Sequence, residues 1–353
     1  AILAQGGSCR RSVPLPACGA MAFFGKRKKR DSDRVPDLPK LDLALTLATL
    51  ALFVCTVLIF ARDRDLGSIV EFVLALSATS VLLTACKGSL RHLGWYISTE
   101  ASRQKPRNLR KFADEGWRLI VHVGMTWYEY RLLEADGWVM WTDARSWWTG
   151  LGRPRSEAPM GLRRLYIMQM GLWFVTAFSH KFLEAKHKDY FVMYGHHVAT
   201  LGLVGLSYFN NYMPIGLIVL FLHDSSDIVT DLLRMVNFLG LDGSSGTFLV
   251  EAFFFTNLVT WAYARMWLFP SFAIKNTFHG WGSFPEVLPL YHRGQLCRLL
   301  LIVLLLMHFW WYCLFLRLLY RLLSGSSGHE AGRDYEGSSD SEGDPSKAGK
   351  KEM

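Results

Sequence analysis

Two short runs of residues carry most of the chemistry in this sequence. One reads Tyr194-Gly195-His196-His197-Val198-Ala199-Thr200; the other reads Leu222-His223-Asp224-Ser225-Ser226-Asp227 and is followed by Asp231. A tight connection around Asn210-Asn211 separates them, which suits an antiparallel helical hairpin. His196 stands about 14 residues before that turn and Asp224 about 13 after it, so at roughly 1.5 Å per residue both lie about 20 Å away. Histidines and acids therefore share one depth. Along each helix, His196 and Thr200, His223 and Asp227, and Asp227 and Asp231 are one turn apart. An imidazole held by a carboxylate keeps a defined tautomer and gains strength as a base or nucleophile.

The surroundings of both runs are apolar, and an ionisable group at the centre of an apolar span costs about 2.5–3.5 kcal/mol. Three acids and three histidines placed there point to function rather than packing. Such a cluster suits acyl transfer to a lipid amine or alcohol. The base removes the acceptor's proton, or the imidazole takes the acyl group first, and a carboxylate pairs with an ammonium headgroup. Lys181, Lys186 and Lys188 lie near one end of the hairpin, where they suit the phosphates of a coenzyme A thioester and, equally, ordinary topology signalling. Other chemistries fit less well. The histidines do not form the HxxxH and HxxHH boxes of di-iron enzymes. No inverted repeat of a carrier and no G-x-S-x-G elbow is present. The six cysteines show no CxxC or zinc-finger spacing, so no metal or disulfide framework is expected.

The elements that must position these residues follow from composition. The 353 residues are 51% hydrophobic and 14% aromatic with net charge +9. The apolar residues collect in blocks of about 18–21, the length a helix needs to cross a bilayer. Eight spans are expected, near 43–61, 68–86, 117–134, 165–183, 191–208, 213–233, 248–268 and 299–316. The third is interrupted by His122, Glu129 and Arg131. The expected fold is all-α, a polytopic transmembrane helical bundle, which excludes soluble, disordered and nucleic-acid-binding classes. The basic run Lys26–Arg30, the stretch 87–112 and the turn 184–190 fall on one side, which charge bias makes cytosolic. Loops 135–161 and 269–296, rich in Trp and Pro, fall opposite.

Residues 1–20 precede the first methionine, Met21, and are set aside; the segment after Met21 does not read as a cleaved signal peptide. From Ser324 the chain is rich in Ser, Gly, Glu and Asp, the composition of a disordered tail. Lys350 and Lys351 resemble a dilysine retrieval signal of the endoplasmic reticulum, which requires a cytosolic C-terminus. The expected organisation is an N-terminal cytosolic segment 1–40, two spans with a basic loop over 41–110, a catalytic domain over 111–320 and a cytosolic tail over 321–353.

The sequence resembles the ceramide synthases, members of the TLC lipid-handling family. Lys111-Phe112-Ala113-Asp114-Glu115-Gly116-Trp117-Arg118 is similar to that family's K-F-x-E-x-x-W-R start of the domain. Tyr166-Ile167-Met168-Gln169-Met170-Gly171 resembles its Y-Y-x-x-Q-x-G span, and Lys186-His187-Lys188-Asp189-Tyr190 its K-R-K-D-F turn. The block from His196 to Asn237, with H-H-x-x-T and L-H-D-S-S-D, resembles its longevity-assurance motif.

The resemblance implies that His196 and His197 are the essential histidine pair and Asp224 and Asp227 the essential acids. Thr200, His223, Ser226, Asp231, Lys186 and Lys188 complete the expected substrate-binding set. It further implies N-acylation of a sphingoid base by acyl-CoA in the endoplasmic reticulum membrane, with both termini cytosolic and no resident cofactor or metal. The expected partners are acyl-CoA, a sphingoid base and membrane lipids, with a homo- or heterodimer left open and nucleic acid excluded. No homeobox-like insert separates the early spans, and loop 269–296 departs from the family pattern in a place that bears on acyl-chain choice. A non-catalytic lipid-sensing or lipid-transport protein of the same family is the alternative reading, and acylation of a different lipid acceptor is a third.

Overall fold

The computed structural model describes residues 38–104, 106–143, 146–147, 155–184, 189–279 and 288–324. Lys186, Lys188, the Lys26–Arg30 run and the tail with its Lys350-Lys351 pair lie outside the described residues. Helix α1, Pro39–Arg62, opens with proline at a position where a missing N–H leaves no bond unmade. Helix α2, Leu66–Ile97, is capped by Asp65, whose carboxylate accepts from the Ser68 N–H at 3.0 Å. A single turn, Glu100–Arg103, leads to α3, Pro106–Ala135. After a short helix at Val139–Thr142 come α4, Met160–Phe182, α5, Tyr190–Phe209, and α6, Met213–Leu239. Gly240 closes α6 with φ 75°, the left-handed conformation that suits glycine. Helix α7, Leu249–Trp261, widens into a π-helical stretch, Ala262–Ile274, which runs on into Lys275–His279. Helix α8 covers Leu288–Leu323. No strand occurs among the described residues.

Each of the eight expected spans overlaps one of these helices. Four stretches, Pro39–Arg62, Leu66–Ile97, Met213–Leu239 and Gly294–Leu323, are long and apolar enough to cross a membrane by length and composition. Among the described residues the others fall short for visible reasons. Helices α3, α4 and α5 carry polar residues such as His122, Glu129, Gln169 and His197, all turned inward, and α7 changes to π geometry after 13 residues. An expectation of eight spans built on apolar length alone therefore meets four helices that satisfy it.

Helix α6 occupies the centre, with α3, α7 and the π-helical stretch packed along it, while α4 leans on α2 and α5, and α8 on α5 and the π-helical stretch. Helices α5 and α6 are joined by a tight turn but touch little along their lengths, so the expected hairpin is splayed. Space for a ligand opens between them. Helices α1 and α2 line one side, and Leu43, Leu47, Leu58, Val70, Leu74 and Val81 face outward and exposed. In water that surface would drive aggregation; against lipid tails it carries no cost. Lys181 of α4 pairs with Asp42 of α1, and the Tyr190 hydroxyl donates to the same carboxylate at 2.9 Å, fixing α1 to the bundle.

Candidate active site

The two motifs meet. His196, Asp224 and Asp227 stand together with Trp173 in the shared wall of two adjoining cavities. The first cavity is apolar, lined by residues such as Leu203, Val204, Val219 and Leu301, and it includes Thr200 and His223. The second is charged, and Arg118, Glu184, Arg234, Asp231 and His197 lie along it.

Both motif histidines sit in an aromatic cage. The His196 ring lies between Trp173 and Trp311, with centroids 5.9 and 5.6 Å away. His197 packs against Trp173 at 5.6 Å and His180 at 5.1 Å. Among the described residues neither ring's Nδ1 has a hydrogen-bond partner, and the Thr200 hydroxyl has none either. Buried polar atoms are almost always satisfied, so unpartnered ones beside a cavity are atoms a ligand can meet.

The acids are held by residues that the motifs do not contain. Gln169 of α4 donates through Nε2 to Asp224 Oδ2 at 3.0 Å and to Glu129 Oε1 at 3.2 Å. Its carbonyl accepts from the Trp173 indole N–H at 2.8 Å. An indole only donates, so this bond fixes which way the amide faces. One glutamine thus positions an acid of α6 and the tryptophan that packs on both histidines. Asp231 bonds His122 Nδ1 at 2.6 Å, so the residue that interrupts the third expected span supports the site.

Asp227 receives a guanidinium. Arg265, 2% exposed on the π-helical stretch, reaches its carboxylate at 2.5 Å. The same side chain donates to Ser226 Oγ at 2.8 Å and to the His223 carbonyl at 3.1 Å, and it lies over the Trp261 ring at 4.2 Å. Two expectations change here. Asp227 does not hold His223 across one helical turn, because His223 Nδ1 donates to the Val219 carbonyl at 2.6 Å, and the carboxylate is satisfied by the stronger charge-assisted pair. Ser226 faces Arg265 rather than either cavity, its hydroxyl accepting from the guanidinium Nε. Its contact is with the arginine. His308 of α8 completes this side, its ring 4.8 Å from that of His223 and its two nitrogens without hydrogen-bond partners among the described residues. No local spacing signalled Arg265 or His308. Gln169 was visible only within the Y-x-x-Q resemblance.

The mouth of the charged cavity is an ion network. Arg118 bonds Glu115 at 2.9 Å and Glu184 at 3.2 Å, Arg234 lies 3.5 Å from Glu115, and Lys87 bonds Asp114 at 2.8 Å. Burial would raise the Glu184 carboxyl, but Arg118, then His180 and Lys87, outweigh it and hold it well below the usual carboxylate range. At Asp114 burial wins over Lys87 and pushes the carboxyl up.

The site is a histidine–aspartate centre between a charged and an apolar cavity of an all-α, membrane-type helical bundle. The chain belongs to the TLC domain family, whose model matches residues 111–317. It is similar to ceramide synthase 5 of Homo sapiens, 28% identical over 256 residues that cover 72% of this chain and 62% of the relative. It is 27% identical over 191 residues to ceramide synthase 1 LOH3 of Arabidopsis thaliana, covering 53% of this chain and 58% of the relative. With ceramide synthase 4 of Mus musculus it shares 25% identity over 246 residues, 69% of this chain and 58% of the relative. The chain spans about three-fifths of the length of these relatives.

Proposed function

We propose that this chain is a ceramide synthase of the endoplasmic reticulum membrane, with cytosolic termini, that moves a fatty acyl group from acyl-CoA to the amine of a sphingoid base. The observation that carries the reading is the place of His196, in the one wall common to a charged and an apolar cavity. A thioester lying across that wall has its acyl chain in the apolar cavity, its polar part in the charged one, and its carbonyl carbon at the imidazole.

The amine attacks that carbon, the C–S bond breaks, and the N–H proton passes through His196 to the departing thiolate, giving amide and free thiol. In the covalent variant the imidazole attacks first and expels the thiol, and the amine then takes the acyl group from nitrogen. Asp224, facing both cavities, is suited to take the first proton from the incoming ammonium and so leave the neutral amine that attacks, and Arg265 holds Asp227 in place. Acyl-CoA is a co-substrate in this scheme, and no resident cofactor takes part.

The test uses microsomes from cells lacking their own ceramide synthases, expressing the chain with a panel of acyl-CoAs and sphinganine, with products read by mass spectrometry. Alanine at His196 is expected to lower amide formation by about 10²–10⁴-fold, the usual contribution of a positioned acid–base group. Intact turnover in inserted His196→Ala and His197→Ala protein would sink the proposal. Inserted wild-type protein that forms no amide would point to a lipid sensor instead.

A further inference from the structure

Helical rise gives the scale of the apolar cavity's depth. Ser207 lies 11 residues beyond His196 on α5, Gly216 lies 11 before Asp227 on α6, and Cys297 lies 11 before His308 on α8. At 1.5 Å of rise per residue each interval is about 16 Å along its helix, and Tyr212 and Gly294 line the cavity up to about one turn farther. Ser207, Gly216 and Cys297 all line the cavity, and Tyr166 of α4 joins them there.

Tyr166 is fixed as a crossbar there. Its hydroxyl donates to the Met213 carbonyl at 3.0 Å and shares a bond with Ser207 Oγ at 3.0 Å, so it ties α4 to both walls of the cavity. Its ring stacks on Tyr208 with centroids 6.4 Å apart. The slot it enters exists only because residue 216 is glycine: a Cβ there would lie 1.8 Å from the Tyr166 oxygen and 2.8 Å from Ser207 Oγ. The ring cannot swing aside without giving up both of its hydroxyl bonds, each worth about 0.5–1.5 kcal/mol.

We propose that Tyr166 is the stop that sets the longest acyl chain this cavity accepts. The inference rests on the ceramide synthase reading and deepens it. With the carbonyl carbon at His196, an extended chain runs about 16 Å down the cavity before its terminal methyl meets the hydroxyl crossbar, which offers it no apolar contact.

The experiment compares product chain lengths made by the full chain in the same microsomes, supplied with an equimolar series of saturated acyl-CoAs. Ratios within one variant are read, so a change in the amount of folded protein cancels. Tyr166→Ala is expected to move the product maximum at least one two-carbon step longer, and Val204→Phe, which fills the cavity part-way down, at least one step shorter. An unchanged profile in Tyr166→Ala overturns the stop. If that variant does not accumulate, Tyr166→Leu replaces it under the same criterion, and an unchanged Val204→Phe profile also counts against the cavity as the acyl site. Absence of any amide from inserted wild-type protein is a different result: it removes the proposed reaction, and the stop with it.

Discussion

Helices α1 and α6 both have the length and composition to cross a membrane, yet they are used in opposite ways. The most apolar 18-residue stretch of α1 has mean hydropathy 2.6 and is 11% buried, whereas that of α6 has mean hydropathy 1.3 and is 56% buried. The less apolar helix is the central one. In water the order would be reversed, because burial of apolar surface drives folding there. In lipid the tails are as apolar as leucine, so nothing drives Leu43 or Leu47 inward, while every polar group of α6 needs a partner that lipid does not supply. The need of its polar groups for partners, more than apolar surface, places α6 at the centre of this bundle.

Arg265→Gln is the strongest way to break that contrast. It leaves Asp227, half-buried at the cavity wall, without its cation, which costs about 1.5–3 kcal/mol, and it also removes the bonds to Ser226 and the His223 carbonyl. Amide formation is expected to fall at least 100-fold and the thermal midpoint of detergent-purified protein to drop; full activity would show that the centre of α6 needs no partner from the π-helical stretch.

Glu184→Gln sharpens the contrast at the rim. Its carboxyl is held below its ordinary value of 4.5, so the ionised form stabilises the fold, fully so above that pH, and the gain fades as pH falls toward the depressed value. At neutral pH the variant is expected to be less stable by about 2 kcal/mol, the scale of a charge-assisted bond, and the gap should close on acidification below pH 4.5. Thermal midpoints of both proteins across that range measure it; a gap that widens in acid would show that Glu184 is not stabilised as an anion.

Leu47→Ala should do least. Leu47 is 54% exposed on the lipid-facing side of α1, so the change is expected to stay within about 0.5 kcal/mol and leave acyl transfer unaltered. A large loss would mean that this face packs against protein rather than lipid.

Much of this was legible in the chain. Apolar blocks located the helices, although α2 continues past the expected end at 86 to Ile97, because Lys87 and Arg91 interrupt the apolar run without breaking the helix. Counting from the Asn210-Asn211 turn put His196 and the acids at one depth, and the two cavities share them. The break between α7 and the π-helical stretch had no such signal; a wider helical turn leaves no mark in composition, and Pro270 lies well past its start.

The sequence by itself determined that His196, Asp224 and Asp227 lie at one depth, because helical rise is local and additive. Only the tertiary structure decided their partners. It paired Asp227 with Arg265 rather than His223, Asp224 with Gln169, and Asp231 with His122. Each of those bonds joins different helices, and such a choice depends on how the helices rotate and splay, which no spacing within one helix records.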